Sequence, residues 1–137
     1  MAPRRIPNHR EERTAHANYL AKAEEFLRSA LDNIASRRWN AAALSAIHAG
    51  IAAADAVLVF ERGVRSVSQR HEDVVDLLTG SGTDRSAALA HLRQMLTRKN
   101  AVEYESRLFS QQEAEEIVRH AERFLAWVRN RVRPPAS

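Results

Sequence analysis

Arg98, Lys99 and Asn100 stand in a row, and Glu103 and Tyr104 follow within about two helical turns. An arginine fork can hold a phosphate or a carboxylate at two points. Asparagine and tyrosine can orient an oxygen, and a glutamate can act as a general base when its surroundings raise its pKa. His91 lies seven residues before Arg98, two turns back along a helix. The strip "RKNAVEYE" therefore reads in three ways. It is a catalytic strip with Arg98, Glu103, Tyr104 and His91 as candidates, a nucleic-acid or partner seam made by Arg98, Lys99, Asn100 and Tyr104, or a polar network joining its helix to the rest of the fold.

Other polar residues offer less. His48 and Asp55 are seven apart in an otherwise apolar run, a spacing that suits a proton-shuttling pair or two buried groups that each find one partner. The histidines at 9, 16, 48, 71, 91 and 120 show neither an i, i+4 pair nor an HExxH pattern. Cysteine is absent, which excludes disulfides, thiolate-ligated zinc and a cysteine nucleophile. No P-loop, GxGxxG or GxSxG motif occurs, so no metal and no cofactor is expected.

The elements that must position these residues are helical. Apolar residues are 45% of the chain and only four residues are glycine, a balance that favours helices over strands. Tyr19, Leu20, Ala23, Phe26, Leu27, Ala30, Leu31 and Ile34 recur at three- and four-residue steps and predict a first helix over about 11–36, with Trp39 anchoring the turn after it. A second, central helix runs from about Asn40 to Arg62 and ends near Gly63. Ser66 or Ser68 caps a third, with Glu72 and Asp73 in its first turn, before "TGSGTD" breaks the chain. Thr83 or Asp84 caps a fourth, carrying Leu89, Leu92, Met95 and Leu96 and running into the strip, to end between Lys99 and Glu105. Ser110 and Glu113 form a capping box ahead of a fifth with Ile117, Val118, Phe124, Leu125 and Val128 on its apolar face. The expectation is one all-α domain, an up-and-down bundle of about five helices over 11–132, with flexible tails at 1–10 and 133–137.

Charge adds a direction. The net charge is +4, and of 21 basic residues only Lys22 and Lys99 are lysines. Arginine forks suit phosphates and carboxylates, although a GC-rich genome gives the same bias. On the last helix, Arg119, Arg123, Arg129, Arg131 and Arg133 interleave with Glu115, Glu116 and Glu122, the pattern of a solvated, salt-bridged face. The apolar run from Ala41 to Phe60 is broken by Ser45, His48 and Asp55, as in a buried helix, and the first residues lack the apolar segment of a secretory signal. A cytoplasmic protein that does not engage a membrane is expected.

The segment "LRQMLTRKNAVEYESRLFSQQEAEEIVRHAERFLAWV" resembles the C-terminal half of the HEPN superfamily, and "YLAKAEEFLRSALDNIASRRWNAAALSAIHAGIAAADAVLVFERG" is similar to its opening helix pair. "RSVSQRHEDVVDLL" resembles the histidine-bearing segment that follows, so that the likeness spans roughly 17–130. The resemblance implies an antiparallel bundle that pairs as a homodimer through the face bearing the motif. It also implies a bacterial toxin–antitoxin setting, with a cognate nucleotidyltransferase or antitoxin as partner, and RNA or a nucleotide as ligand. Family ribonucleases are metal-independent and use R-x(4–6)-H. Arg98 matches the arginine, but Glu103, Tyr104 and Glu105 fill the histidine positions. Glutamate is ionised at neutral pH and repels phosphate, and tyrosine titrates too high to be a ready base. The resemblance thus implies first a dimeric binding module, and second a ribonuclease using Arg98 with another proton-transfer residue, His91 among them. His71 matches a histidine also seen in relatives without the look of nucleases, which implies a structural or interface role for it.

Overall fold

The computed structural model describes residues 6–66, 71–79 and 83–132. Its helices are α1 (His16–Ala35), α2 (Trp39–Arg62), α3 (His71–Leu78), α4 (Thr83–Leu96), α5 (Lys99–Tyr104) and α6 (Gln111–Arg131), with a 3-10 turn at Arg13–Ala15 leading into α1. The all-α bundle expected from periodicity is the fold. Ser68, the 80–82 part of the glycine-containing break, Arg133 and the side chain of His71 lie outside the described residues.

α2 is the axis of the bundle. Thirteen of its residues are buried, among them Ala46, Ile47, Ala49, Ala53, Val57 and Leu58. It packs against α1, α6 and α4. Alanines allow close approach to α1, whose buried residues are Ala23, Leu27 and Ala30. Gly50 faces α4 so closely that an added Cβ would lie 2.7 Å from Met95 Cε. α2 is long and apolar enough to cross a membrane by length and composition, yet 67% of its most apolar window is covered by the bundle.

Two joints differ from the sequence expectation. Asn8–Arg10, expected to belong to a flexible tail, forms strand β1 and pairs antiparallel with β2 (Val64–Ser66), His9 opposite Arg65. Gly63 makes this possible: its left-handed φ of 67° ends α2, and its carbonyl accepts from the Glu11 amide at 2.7 Å. The ribbon lies at the junction and carries no core, which is why no apolar pattern announced it.

The second difference is at the strip itself. The fourth helix does not run through it but stops at Leu96, and α5 starts after Arg98. In an uninterrupted helix the Gln94 carbonyl would accept from the Arg98 amide. Here that carbonyl accepts from Thr97 Oγ1 at 3.2 Å and from Arg98 Nη1 at 2.8 Å. The Arg98 amide turns to the Met95 carbonyl instead, at 3.2 Å. Side-chain donors have displaced a backbone donor and re-aimed the chain.

Of the other expected caps, Ser66 lies instead in β2, five residues ahead of α3, and Thr83 and Asp84 lie inside α4 and not ahead of it, whereas the last helix starts as expected. The Ser110–Glu113 capping box forms in both directions, at 3.1 and 3.2 Å. Trp39 begins α2 and lies under the Arg37 guanidinium at 5.5 Å. Arg37 adopts a left-handed φ of 60°, and the Arg38 amide reaches back to the Asn33 carbonyl at 2.9 Å, closing α1 with a Schellman turn.

Candidate functional site

The bend at Thr97–Arg98 divides the strip between two neighbourhoods. Arg98 stays with α4 and α6: its Nη1 also donates to Gln94 Oε1 at 2.9 Å, and its Nη2 is 3.7 Å from Glu116. α5 turns the remainder toward α2. Lys99 Nζ donates to Glu103 Oε2 at 2.8 Å, and Glu103 Oε1 lies 3.7 Å from His48 Nε2. The His48 ring in turn packs against Phe26, with centroids 5.6 Å apart. Asn100 is exposed, and Tyr104 is 76% exposed.

This arrangement tests Glu103 as a base. The Lys99 hydrogen bond is the main influence and holds the carboxyl below its ordinary value, with burial opposing it. A general base poised for neutral pH needs the opposite shift. Glu103 is held as an anion in an ion-paired network, so it does not supply the missing chemistry.

A histidine pair does lie on the Arg98 side. His91 of α4 and His120 of α6 meet Nδ1 to Nδ1 at 2.9 Å. Burial, followed by the Arg123 charge, lowers the His91 pKa. Burial also lowers His120, joined by the His91 ring and the charges of Arg98 and Arg123, against the pull of Glu116. Both rings are therefore neutral at pH 7, and a neutral pair sharing one Nδ1 proton has opposite tautomers. One Nε2 is then a proton acceptor and the other an N–H donor. His91 was legible as a candidate through its spacing from Arg98. His120 was not, because only the packing of α4 on α6 joins residues 29 apart in sequence.

His48 and Asp55 do not form a site together. His48 turns to Glu103 and Phe26, whereas Asp55 sits in the field of Arg65, Glu11 and Lys22. The α6 arginines bridge helices more than they pair within α6: Arg129 donates to Glu24 of α1 at 2.7 Å, and Arg131 to Glu61 of α2. Among the described residues no group of three metal-ligating side chains converges.

Several large apolar side chains reach the surface. Leu108, in the loop before α6, is 78% exposed, and Phe26 and Leu31 of α1 are also exposed.

Comparison with solved structures supports the same architecture. The chain is similar to ST0689, an archaeal HEPN homologue, with 20% identity, a TM-score of 0.64, and coverage of 86% of this chain and 98% of that one. It is also similar to TT1696 from Thermus thermophilus, with 18% identity, a TM-score of 0.68, and coverage of 85% and 98%. A comparison with curated proteins finds no significant match. The family model described as the HEPN domain matches residues 17–131, which takes in α1 but for His16, all of α2 to α6 and both neighbourhoods of the strip, and the chain belongs to the HEPN domain family.

Proposed function

We propose that this chain is a dimeric HEPN binding module, with the α1–α5 face as the seam between two copies and Arg98, Lys99, Asn100 and Tyr104 as its polar edge. The observation that carries this is the exposure of Tyr104 and Leu108, which follow the Lys99–Glu103 pair in the chain, with Phe26 against the His48 ring that Glu103 faces. Aromatic and aliphatic side chains ringed by ion pairs are the composition of an interface centre and its rim. The paired α5 strips would offer guanidinium and ammonium groups to an RNA phosphate or to the acidic surface of a cognate protein. A nucleotidyltransferase or antitoxin of a bacterial, cytoplasmic toxin–antitoxin system is the partner this reading favours.

The test is oligomeric state. Sedimentation equilibrium at micromolar concentration is expected to show a dimer. Tyr104→Glu with Leu108→Glu is expected to give a folded monomer, each change costing the dimer about 2 kcal/mol. A wild-type monomer, or a double variant that still pairs like wild type, refutes the seam.

A second reading rests on the His91–His120 pair beside Arg98. In it the chain is a metal-independent endoribonuclease. The acceptor Nε2 takes the 2′-hydroxyl proton as the 2′-oxygen attacks phosphorus, the bond to the 5′-oxygen breaks, and the donor Nε2–H protonates that leaving oxygen. Arg98 would balance the phosphorane charge. Cleavage of labelled RNA with EDTA present, leaving a 2′,3′-cyclic phosphate, is the expected product of this chemistry. Arg98→Ala and His120→Ala are then each expected to slow it by roughly 10²–10⁴-fold. Intact RNA with wild-type protein removes this reading and leaves the binding module.

A further inference from the structure

The arginine cleft at the end of the bundle where α2, α3 and α6 finish is held together from within. Arg85 Nη2 donates to Glu61 at 2.7 Å, and Arg131 Nε donates to the same carboxylate. Arg13 Nη2 donates to the Glu61 carbonyl at 3.0 Å and Arg62 Nη1 to the Leu77 carbonyl at 2.9 Å, so both close helix ends.

The contact between His91 of α4 and His120 of α6 is of another kind. The rings meet Nδ1 to Nδ1 at 2.9 Å, with their planes inclined by 46°. A tie between two helices needs only one donor and one acceptor. Two imidazoles bring in addition two metal-ligating nitrogens within reach of each other. Both rings are half-buried and stay within reach of solvent, while the adjoining Leu92 and Ala121 have no exposed surface and anchor the two helices at this level.

The separation of the two nitrogens is informative. Imidazole nitrogens bind a metal at about 2.0–2.1 Å. Two such bonds at a right angle set their nitrogens about 2.9 Å apart, whereas a tetrahedral angle sets them about 3.3–3.4 Å apart. The spacing here is that of the right-angled pair, the arrangement of square-planar and tetragonal copper(II) and nickel(II) sites. Protonation does not stand in the way, because burial and nearby positive charge keep both rings neutral at pH 7. When the one Nδ1 proton passes through solvent to Nε2 of its own ring, both Nδ1 lone pairs are free and no net proton is lost. Arg98 and Arg123 oppose a cation at this point, and Glu116, one turn before His120, favours it. Among the described residues no third protein ligand converges, so water fills the remaining positions and the ion is exchangeable.

We propose that His91 and His120 bind a tetragonal divalent transition-metal cation, copper(II) foremost, through both Nδ1 atoms and thereby clasp α4 to α6. In the metal-bound pair each Nε2 carries a proton, so neither ring keeps an acceptor nitrogen. In the ribonuclease reading, on which this one consequence rests, the cation is an inhibitor: it removes the base that takes the 2′-hydroxyl proton. Binding of the cation does not depend on that reading.

Titration of the protein with copper(II) near pH 7 without RNA, followed by calorimetry and electron paramagnetic resonance, tests the site. Wild type is expected to take up one ion at the pair, its spectrum split by the nitrogens of two rings. His91→Gln and His120→Gln are each expected to weaken this binding by at least about tenfold, since even loss of an outer-shell partner costs roughly 10–100-fold, and to leave the splitting of one ring. His9→Ala, at an exposed histidine of β1, is expected to bind like wild type. The wild-type spectrum keeps the test decisive if a glutamine variant unfolds. Lack of a two-ring spectrum, or undiminished binding by both glutamine variants, overturns the site, and tighter binding of zinc(II) than of copper(II) overturns the right-angled geometry. RNA left intact by metal-free wild type removes the ribonuclease reading and the inhibition with it but not the metal site, whereas cleavage undiminished by bound copper(II) overturns the inhibition alone.

Discussion

Asp55→Asn is expected to stabilise the protein at pH 8 by on the order of 2–4 kcal/mol and to leave it nearly unchanged at pH 4. Asp55 lies on α2 with most of its surface covered, and burial is the main force on its carboxyl. Arg65 and Lys22 favour the anion, Glu11 opposes it, and the net effect raises the pKa from 3.8 to about 7. Tyr19 shares this environment; burial and its hydrogen bond to Glu11 push its hydroxyl up to about 12.

The sign follows from linkage. An acid whose folded pKa exceeds its unfolded value binds its proton more tightly in the folded state. Its stabilising contribution is complete below about pH 4 and is lost as pH rises to about 7. His91 and His120 have lowered pKa values and act in the opposite sense, so stability of the wild type alone would mix the two effects. Comparing wild type with Asp55→Asn in urea at several pH values cancels the histidines and isolates the carboxyl. Asparagine reproduces the shape of the neutral acid without a proton to lose. A difference that stays flat between pH 4 and 8 would show that Asp55 is ionised throughout.

His48 and Asp55 illustrate what periodicity can and cannot carry. Their spacing correctly put both on α2 and raised the choice between one site and two separate partners. The structure gives two neighbourhoods, because each meets a different set of elements: α5 and Phe26 for His48, the β-ribbon side for Asp55. The helices themselves were legible, since Leu27, Ile117, Phe124 and their neighbours repeat at helical steps and Ser110 with Glu113 carries a local cap signal. The bend at Thr97 was not, because it depends on two side chains competing for one carbonyl. Neither β1 nor the arginine cleft could be read from the chain. Three-residue strands have too little pattern, and the cleft collects residues from the 3-10 turn, α2, α4 and α6.

Phe124→Ala is expected to cost about 3–5 kcal/mol, the range for removing a fully buried aromatic ring. Phe124 has no exposed surface, and its ring stacks on Trp127 at 5.9 Å. It stands on α6 between the histidine pair and the arginine cleft. His120 is one turn before it, and Trp127, which carries the Arg85 guanidinium at 5.3 Å from its ring, is one turn after. Loss of the ring leaves a cavity beneath both, and domains of this kind have only about 5–15 kcal/mol to lose. Phe124→Leu keeps more of the volume and is expected to cost roughly 1–2 kcal/mol. Urea unfolding followed by circular dichroism measures both variants. A cost for alanine below about 1 kcal/mol would mean that α6 is not packed into the core at this position, and the geometry of the histidine pair and of the cleft would fall with it.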